Sequence, residues 1–421
     1  MAMNVEALKR ILVDQREIME EKLKQGKIIE RELKIAPKFP HAYIITGVRR
    51  AGKSTLAFIS SQNPLYVNFE DPNLLGFDIK DYMKLIQAGY EVFGYFDTIV
   101  FDEVQEVEGW EKMVSFLMEK YKVIVTGSNA RLLSHEFSTY LTGRYLKFTL
   151  FPFSFREFLT YKGASLNVYS TRDIASVKKL LNEYIKIGGF PEALKLGREF
   201  LINLYDDIIT RDVAVRYNVR NFRELKELAF YVLSNFSARI TYNKLKNLFK
   251  IGNLQTVKNY IEYLTSAYLI FEVPKFSFKL KDQLTGERKV YTVDVGLINA
   301  IVPKISENIG RIMENLVFLE LMRRKHYREK DIEIYYYKDT RGREVDFLIV
   351  SGREKEAIQV TYASDIDEIP KREINNLIAL SKEFGLREGI IVTWDLEDEI
   401  SMENIRLKFV PLWKFLITGS I

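Results

Sequence analysis

The stretch "GVRRAGKST", residues 47–55, fits the pattern G-x-x-x-x-G-K-[ST] at every fixed position: Gly47, Gly52, Lys53 and Ser54. An apolar run, "AYIITG" (42–47), precedes it and a helical pattern follows, so the motif lies where a strand turns into a helix. The glycines let the backbone turn tightly, and its N–H groups and the helix N-terminus then face an anion. Gly47, Val48, Arg49, Arg50, Ala51, Gly52, Lys53, Ser54 and Thr55 are therefore the candidate nucleotide-binding residues. Lys53 is the residue to reach the β- and γ-phosphates and Ser54 the one to hold Mg²⁺. Arg49 and Arg50 fill free loop positions, where solvated surface charge is the simpler reading.

Outward from the loop, further apolar runs alternate with helical patterns: "LYVNFE" (65–70), "TIVFDE" (98–103) and "KVIVTGS" (122–128). Strands of this kind predict an α/β fold with a parallel sheet covered on both faces. Asp102 and Glu103 end the third run, at the strand end where such sheets bind ligands. Asp102 is expected to hold the Mg²⁺ shell and Glu103 to polarise an attacking water. Ser128 and Asn129 end the fourth run, and Asn129 is the candidate γ-phosphate sensor; a helix cap is the plainer alternative. Arg144, in "LTGRYLKF", is a candidate arginine finger for its own or a neighbouring subunit. Arg211, in "IITRDV", is a second arginine, explained equally well by a helical ion pair with Asp207 or Asp212.

A chain of 421 residues predicts several domains, with boundaries placed at 1–150, 151–235, 236–304 and 305–421. Net charge is +5, so no global polybasic signal demands a nucleic acid and any such site must be local. The absence of cysteine excludes disulfides, thiolate metal sites and cysteine nucleophiles. His41, His135 and His326 are too scattered to suggest a histidine metal site. The N-terminus has no apolar signal core and no run reaches the length of a membrane span, so the cytoplasm is the expected location. Abundant Lys and Glu without Cys suit a heat-adapted organism. Residues 4–33 read as one amphipathic helix, with Val5, Leu8, Ile11 and Leu12 on one side. No guanine-reading segment is found, since "YNKLK" (242–246) lacks the required aspartate. A glutamate beside the metal aspartate suits hydrolysis, so ATP with Mg²⁺ is expected to drive a conformational change.

The chain resembles a family of archaeal and bacterial AAA+-type ATPases. The segments that carry the resemblance are "GVRRAGKST", "FDEVQ", "VTGSNARLLS", "TGRYLKFTLFPFSFREF", "GGFPEAL", "YTVDVGL", "RIMENLVFLEL" and "GREVDFLIV", in order from about 41 to 362. The resemblance implies a nucleotide-binding domain, a winged-helix segment and a C-terminal restriction-nuclease-like domain of unknown function.

Residues 237–292 look like that winged helix. "TYNKLKNLF" and "LQTVKNYIEYLTSAYLI" give two helices, the second with Leu254, Val257, Ile261 and Leu264 inward. Its outer face carries Gln255 and Lys258 as candidate DNA contacts, and "FKLKDQLTGERKVY" would be a wing bringing Arg288 and Lys289 near phosphates. From 305 onward a long helix (307–327) precedes strands at 332–338, 344–350 and 356–362, a helix at 369–384 and a strand at 389–394. Glu314, Asp346, Gln359 and Thr361 occupy positions resembling a PD-(D/E)xK nuclease core, with Gln359 and Thr361 replacing its usual Glu and Lys. A neutral amide and a hydroxyl are poor substitutes for a metal ligand and a cation, which predicts a degenerate nuclease-like domain. The whole reading is a homo-oligomeric ATPase that remodels nucleic acid or a nucleic-acid-bound complex. The alternative is a nucleotide-gated protein-binding switch of a defence or toxin–antitoxin system, and a third reading is an ATP-regulated nuclease.

Overall fold

Strands that bury both faces must lie inside a sheet, and the apolar runs of the first third do so. The computed structural model describes residues 3–130, 140–141, 143–303 and 308–419; by its internal contacts the chain forms two units, Met1–Phe151 and Pro152–Ile421. In the first unit β1 (Ala42–Thr46), β2 (Leu65–Asn68), β3 (Thr98–Asp102), β4 (Lys122–Gly127) and β5 (Tyr145–Thr149) form one sheet in the order β2-β3-β4-β1-β5. Every pairing is parallel. Thr46 lies beside Gly127 and Phe101 beside Val125, so β1, β3 and β4 end level with one another. β5 is an addition to the four expected strands. It is an edge strand with Leu146 and Lys147 both exposed, so it lacks the continuous apolar run that marks its neighbours.

The first helix runs from Val5 to Gln25, not to residue 33. Asn4 caps its start by accepting from Ala7 N, and Gly26 leaves helical geometry at its end. Leu8 and Leu12 are fully buried, each worth about 1.5–3 kcal/mol of apolar burial. Beyond Gly26 the period changes: Ile29, Arg31, Leu33 and Ile35 are buried in alternation, as in an extended segment. Arginine at one inward position hid that alternation in the sequence.

The second unit opens with helices Phe155–Lys162, Thr171–Ile187 and Arg198–Asp207, the last continuing as a π-helical stretch, Ile208–Val215. Helix Phe222–Ser234 leads into an antiparallel sheet of order β6-β8-β7, made of β6 (Ala238–Ile240), β7 (Ile270–Pro274) and β8 (Arg288–Thr292). Helices Tyr242–Leu248 and Leu254–Ser266 lie between β6 and β7 in sequence, and the connection from β7 to β8 holds a short helix, Leu280–Thr285. Helix Ile309–Arg323 precedes a six-stranded mixed sheet of order β13-β14-β12-β11-β10-β9. Its strands are β9 (Glu333–Lys338), β10 (Glu344–Ser351), β11 (Glu354–Val360), β12 (Glu388–Thr393), β13 (Asp398–Met402) and β14 (Ile405–Pro411). β13 and β14 were not among the expected strands. The boundary expected at 304/305 falls outside the described residues, as does His135.

Several segments that carry the family resemblance meet inside this second unit. Gly189 N donates to Asp294 Oδ2 (2.6 Å) and Phe153 N donates to Gly189 O (2.7 Å). Tyr184 OH donates to Phe153 O (2.6 Å), and Arg156 pairs with Glu320. Gly188 has a left-handed φ of 79°, and a Cβ there would lie 2.0 Å from Asp294 Oδ1, so no side chain fits. Among the described residues no helix is long and apolar enough to cross a membrane.

Candidate functional site

The loop between β1 and helix Lys53–Ile59 takes left-handed or extended-positive φ angles at Gly47 (142°), Arg50 (65°) and Gly52 (98°). At Gly47 a Cβ would lie 2.2 Å from Leu150 O, which explains why glycine alone fits there. Lys53 is buried, and its Nζ donates to Gly47 O and Val48 O, both at 3.1 Å, so the ammonium lies across the loop it belongs to. Arg49 pairs with Glu70 (3.2 Å), and Arg50 is exposed.

Asp102 and Glu103 stand at the end of β3, level with the loop, as their strand position requires. Asp102 is buried and accepts hydrogen bonds from Tyr66 OH (2.7 Å) and from the Thr126 hydroxyl. Burial, then the adjacent Glu103, raises its carboxyl above the usual aspartate range, while the Thr126 and Tyr66 hydroxyls oppose that shift. Glu103 holds a left-handed φ of 48°, unusual for a non-glycine residue. Its carboxylate accepts from Gln105 Nε2 (2.5 Å) and from the Ser128 N–H (3.3 Å), which ties the ends of β3 and β4. Ser128 and Asn129 are buried at that same end. Lys53, Ser54, Asp102, Glu103 and Asn129 are thus gathered along one edge of the sheet.

Arg144 is not brought there. It precedes β5, whose Tyr145 pairs with Ala42 at the start of β1, whereas the loop follows the end of β1. One strand length, roughly 16 Å, separates the two ends, and Arg144 is paired with Glu119. Arg211 is exposed in the second unit and faces Asp207 at 3.6 Å, the helical ion pair offered as its alternative role.

Arg31 is a residue that the sequence reading missed. Its guanidinium is buried, and donates from Nη1 to Ala51 O (2.9 Å) and from Nη2 to Phe151 O (2.6 Å). It therefore braces the backbone of the phosphate loop from behind. Tyr66 and Thr126, which hold Asp102, were also missed: both read as ordinary residues of buried strands.

In the second unit, Gln255 and Lys258 are exposed on helix Leu254–Ser266, as expected of an outer face. Arg288 is half-buried and donates to Leu284 O (2.9 Å). Lys289 corrects the expectation of a phosphate contact. It is 3% exposed, and its Nζ lies 3.0 Å from Glu314, 3.0 Å from Glu344 and 2.9 Å from Asp346. Strand alternation explains the difference: Lys289 and Tyr291 share the face of β8 that meets helix Ile309–Arg323. Glu314 and Asp346 do come together, bridged by this lysine. Gln359 Oε1 accepts from Asp346 N (3.3 Å), and Thr361 is buried, its backbone N–H donating to Val392 O (2.9 Å). Burial, then Asp346, raises the Glu314 carboxyl; burial alone would lower Lys289, but Asp346 and Glu314 hold it well above its ordinary value. With the Lys289 ammonium between these acids, no group of three or more His, Cys, Asp or Glu among the described residues could hold a metal ion.

Residues 40–159 match the family described as an AAA domain, 178–308 a domain of unknown function (DUF8612) and 309–415 another (DUF4143). The chain is similar to "Uncharacterized protein MJ1544" of Methanocaldococcus jannaschii, at 35% identity over 418 residues, 94% of this chain and 92% of that one. It is similar to an uncharacterized protein of Haemophilus influenzae, at 30% identity over 393 residues, 88% of this chain and 93% of that one. Among solved structures it is similar to the signal-transduction ATPase PH0952 of Pyrococcus horikoshii, at 17% identity and a TM-score of 0.25, over 70% of this chain and 47% of that one. A score that low carries no argument.

Proposed function

Since the chain belongs to a family of archaeal and bacterial AAA-type proteins that includes MJ1544 of Methanocaldococcus jannaschii, we propose that it hydrolyses ATP with Mg²⁺. One observation carries this reading: Lys53 and Ser54 at the start of the helix after the loop converge with Asp102, Glu103 and Asn129 at one sheet edge. The oxygens of Ser54 and Asp102 are the hard donors that Mg²⁺ takes, so these two residues fit the ion. Bound there with the nucleotide, Mg²⁺ would neutralise phosphate charge. Lys53 binds the phosphates by exchanging its two carbonyl acceptors for phosphate oxygens. Glu103, oriented by the Ser128 N–H, takes a proton from the attacking water. Asn129 contacts the γ-phosphate or that water. Arg31 keeps the loop backbone in place. Arg144, too far away in its own subunit, is left as a finger toward a neighbouring copy, which makes the active form a homo-oligomer.

Phosphate release by the wild type, Lys53→Ala and Glu103→Gln tests the assignment. Hydrolysis that continues undiminished in Lys53→Ala overturns it.

The use of the turnover is inferred from residues 222–303. Their order of helix, strand, two helices, strand, short helix, strand and helix supports a winged helix, and the exposed Gln255 and Lys258 support a nucleic-acid partner that ATP hydrolysis rearranges. A second reading, a nucleotide-gated protein-binding switch, has its own support. The β7–β8 connection exposes Phe278 (81%), Leu280 (66%) and Leu284 (64%), an apolar surface suited to protein better than to phosphate. An electrophoretic shift with duplex and single-stranded DNA at low salt, with and without ATP, separates the two. No shift in any state leaves the switch.

A further inference from the structure

Lys289 has no part in nucleotide chemistry, yet it is among the most thoroughly engaged cations in the second unit. Its three carboxylate partners come from two elements: Glu314 from helix Ile309–Arg323, and Glu344 and Asp346 from β10. An ammonium has three N–H donors, and here three carboxylates lie within 2.9–3.0 Å of it. The strand that delivers it is anchored beside it. Tyr291 OH donates to Glu314 (2.6 Å), and Asn315 accepts from Thr292 N (2.9 Å) while donating to Thr292 O (3.0 Å). Tyr291 also stacks on Phe318, with ring centroids 4.2 Å apart. Lys289 cannot swing out without disturbing this seam.

A hard divalent cation would need the same oxygens, at about 2.0–2.6 Å. The ammonium already fills the space between them. The cluster is not sealed from solvent: it opens on a cavity of about 550 Å³ lined also by Arg239 and Lys244. A metal ion therefore has a route in, and the lysine stands in its way, with Arg239 also 3.5 Å from Glu344. We propose that Lys289 is a tethered counter-cation that stands in the metal position among Glu314, Glu344 and Asp346, excludes divalent ions from this site and ties β8 to the C-terminal sheet. The C-terminal domain then works without metal, as a rigid binding or assembly element. Withdrawal of the lysine exposes a site for Mg²⁺ or Mn²⁺.

Mn²⁺ titration of the nucleotide-free full chain, followed by electron paramagnetic resonance, tests this. The wild type should show no Mn²⁺ binding that Asp346→Asn abolishes. Lys289→Ala should gain one such site, with affinity at least ~100-fold above the wild type's and in the ~10⁻⁴ M range or tighter, lost again in Lys289→Ala/Asp346→Asn. Should Lys289→Ala be poorly folded, Mn²⁺ should raise its melting temperature while leaving the wild type's unchanged. A wild-type Mn²⁺ site lost on Asp346→Asn overturns the proposal. So does a Lys289→Ala chain that neither binds Mn²⁺ nor is stabilised by it.

Discussion

Two buried lysines lie beside acidic residues in this chain, one in each unit, and their partners set them apart. Lys53 donates to two neutral carbonyls at 3.1 Å, while the acids of its site, Asp102 and Glu103, are held by hydroxyls and a backbone N–H. Lys289 is surrounded by three carboxylates at 2.9–3.0 Å. A carbonyl acceptor is readily exchanged for a phosphate oxygen of full charge. Three carboxylates, two of them buried, are not, because removing their cation leaves uncompensated charge in a poorly solvated place. The first arrangement keeps a cation ready for a ligand, and the second uses one up.

The widest separation between the two should appear in catalysis. Lys53→Ala is expected to lower ATP turnover by at least ~10³-fold, whereas Lys289→Ala should leave it within roughly 3-fold of wild type. A steady-state phosphate-release assay decides this, and equal losses in both would break the comparison. Stability should reverse the ranking. Lys289→Met removes one side of a buried charged cluster and should cost about 3–5 kcal/mol. Lys53→Met gives up two hydrogen bonds but also the desolvation of a buried charge, and should stay within about 1 kcal/mol of wild type. Urea denaturation of both variants measures the difference.

The same contrast explains what could be read from the sequence. The phosphate site was legible because its residues are local: Gly47 to Thr55 are contiguous, and Asp102, Glu103 and Asn129 each end an apolar run. Glu314 and Asp346 were legible from their places on a helix and a strand. Lys289 was misassigned because its partners lie 25 to 57 positions further along the chain, and a lysine in a charged segment resembles a surface residue. Arg31 is hidden in the opposite way, as a charged residue at an inward position of an extended segment whose sequence continues the helical pattern. β5 escaped because an edge strand shows no continuous apolar run. Arg144 stands out in the sequence by its glycine turn, and only the parallel pairing of β5 with β1 shows which end of the sheet it occupies.

A third buried charge sharpens the comparison from the carboxylate side. Asp294 accepts backbone N–H groups from Gly189 and Leu297, and burial pushes its carboxyl up to about 6 against those bonds and the charge of Arg323. The folded state therefore binds this proton more tightly than the unfolded chain, whose aspartate titrates near 3.9. Between about pH 4 and pH 6 the unfolded state loses the proton first, so the contribution of Asp294 falls as pH rises through this window and is flat above it. A shift of roughly two units sets a ceiling of about 3 kcal/mol on the change. Urea melts from pH 4 to 7 should show this slope in the wild type and not in Asp294→Asn, after the slope common to both is subtracted. The same slope in both would place the titration elsewhere.

The smallest effect is expected at Arg31, and it asks whether a buried cation can serve a ligand that it does not touch. Its two hydrogen bonds hold Ala51 O and Phe151 O, so it sets the position of the loop rather than the chemistry at the γ-phosphate. Arg31→Gln keeps polar atoms but loses the charge and the fork, which should weaken ATP binding by roughly 10-fold, consistent with the loss of about 1.4 kcal/mol from a charge-assisted contact. Turnover at saturating ATP should change by less than about 3-fold, because Glu103 and Asn129 are unaltered. Arg31→Lys should recover only part of the affinity, since an ammonium cannot span both carbonyls with the geometry of a planar fork. Fluorescent-nucleotide titration alongside steady-state kinetics separates these quantities. A fall in kcat as large as the rise in KM would show that Arg31 acts on the reacting phosphate and not on the loop that holds it.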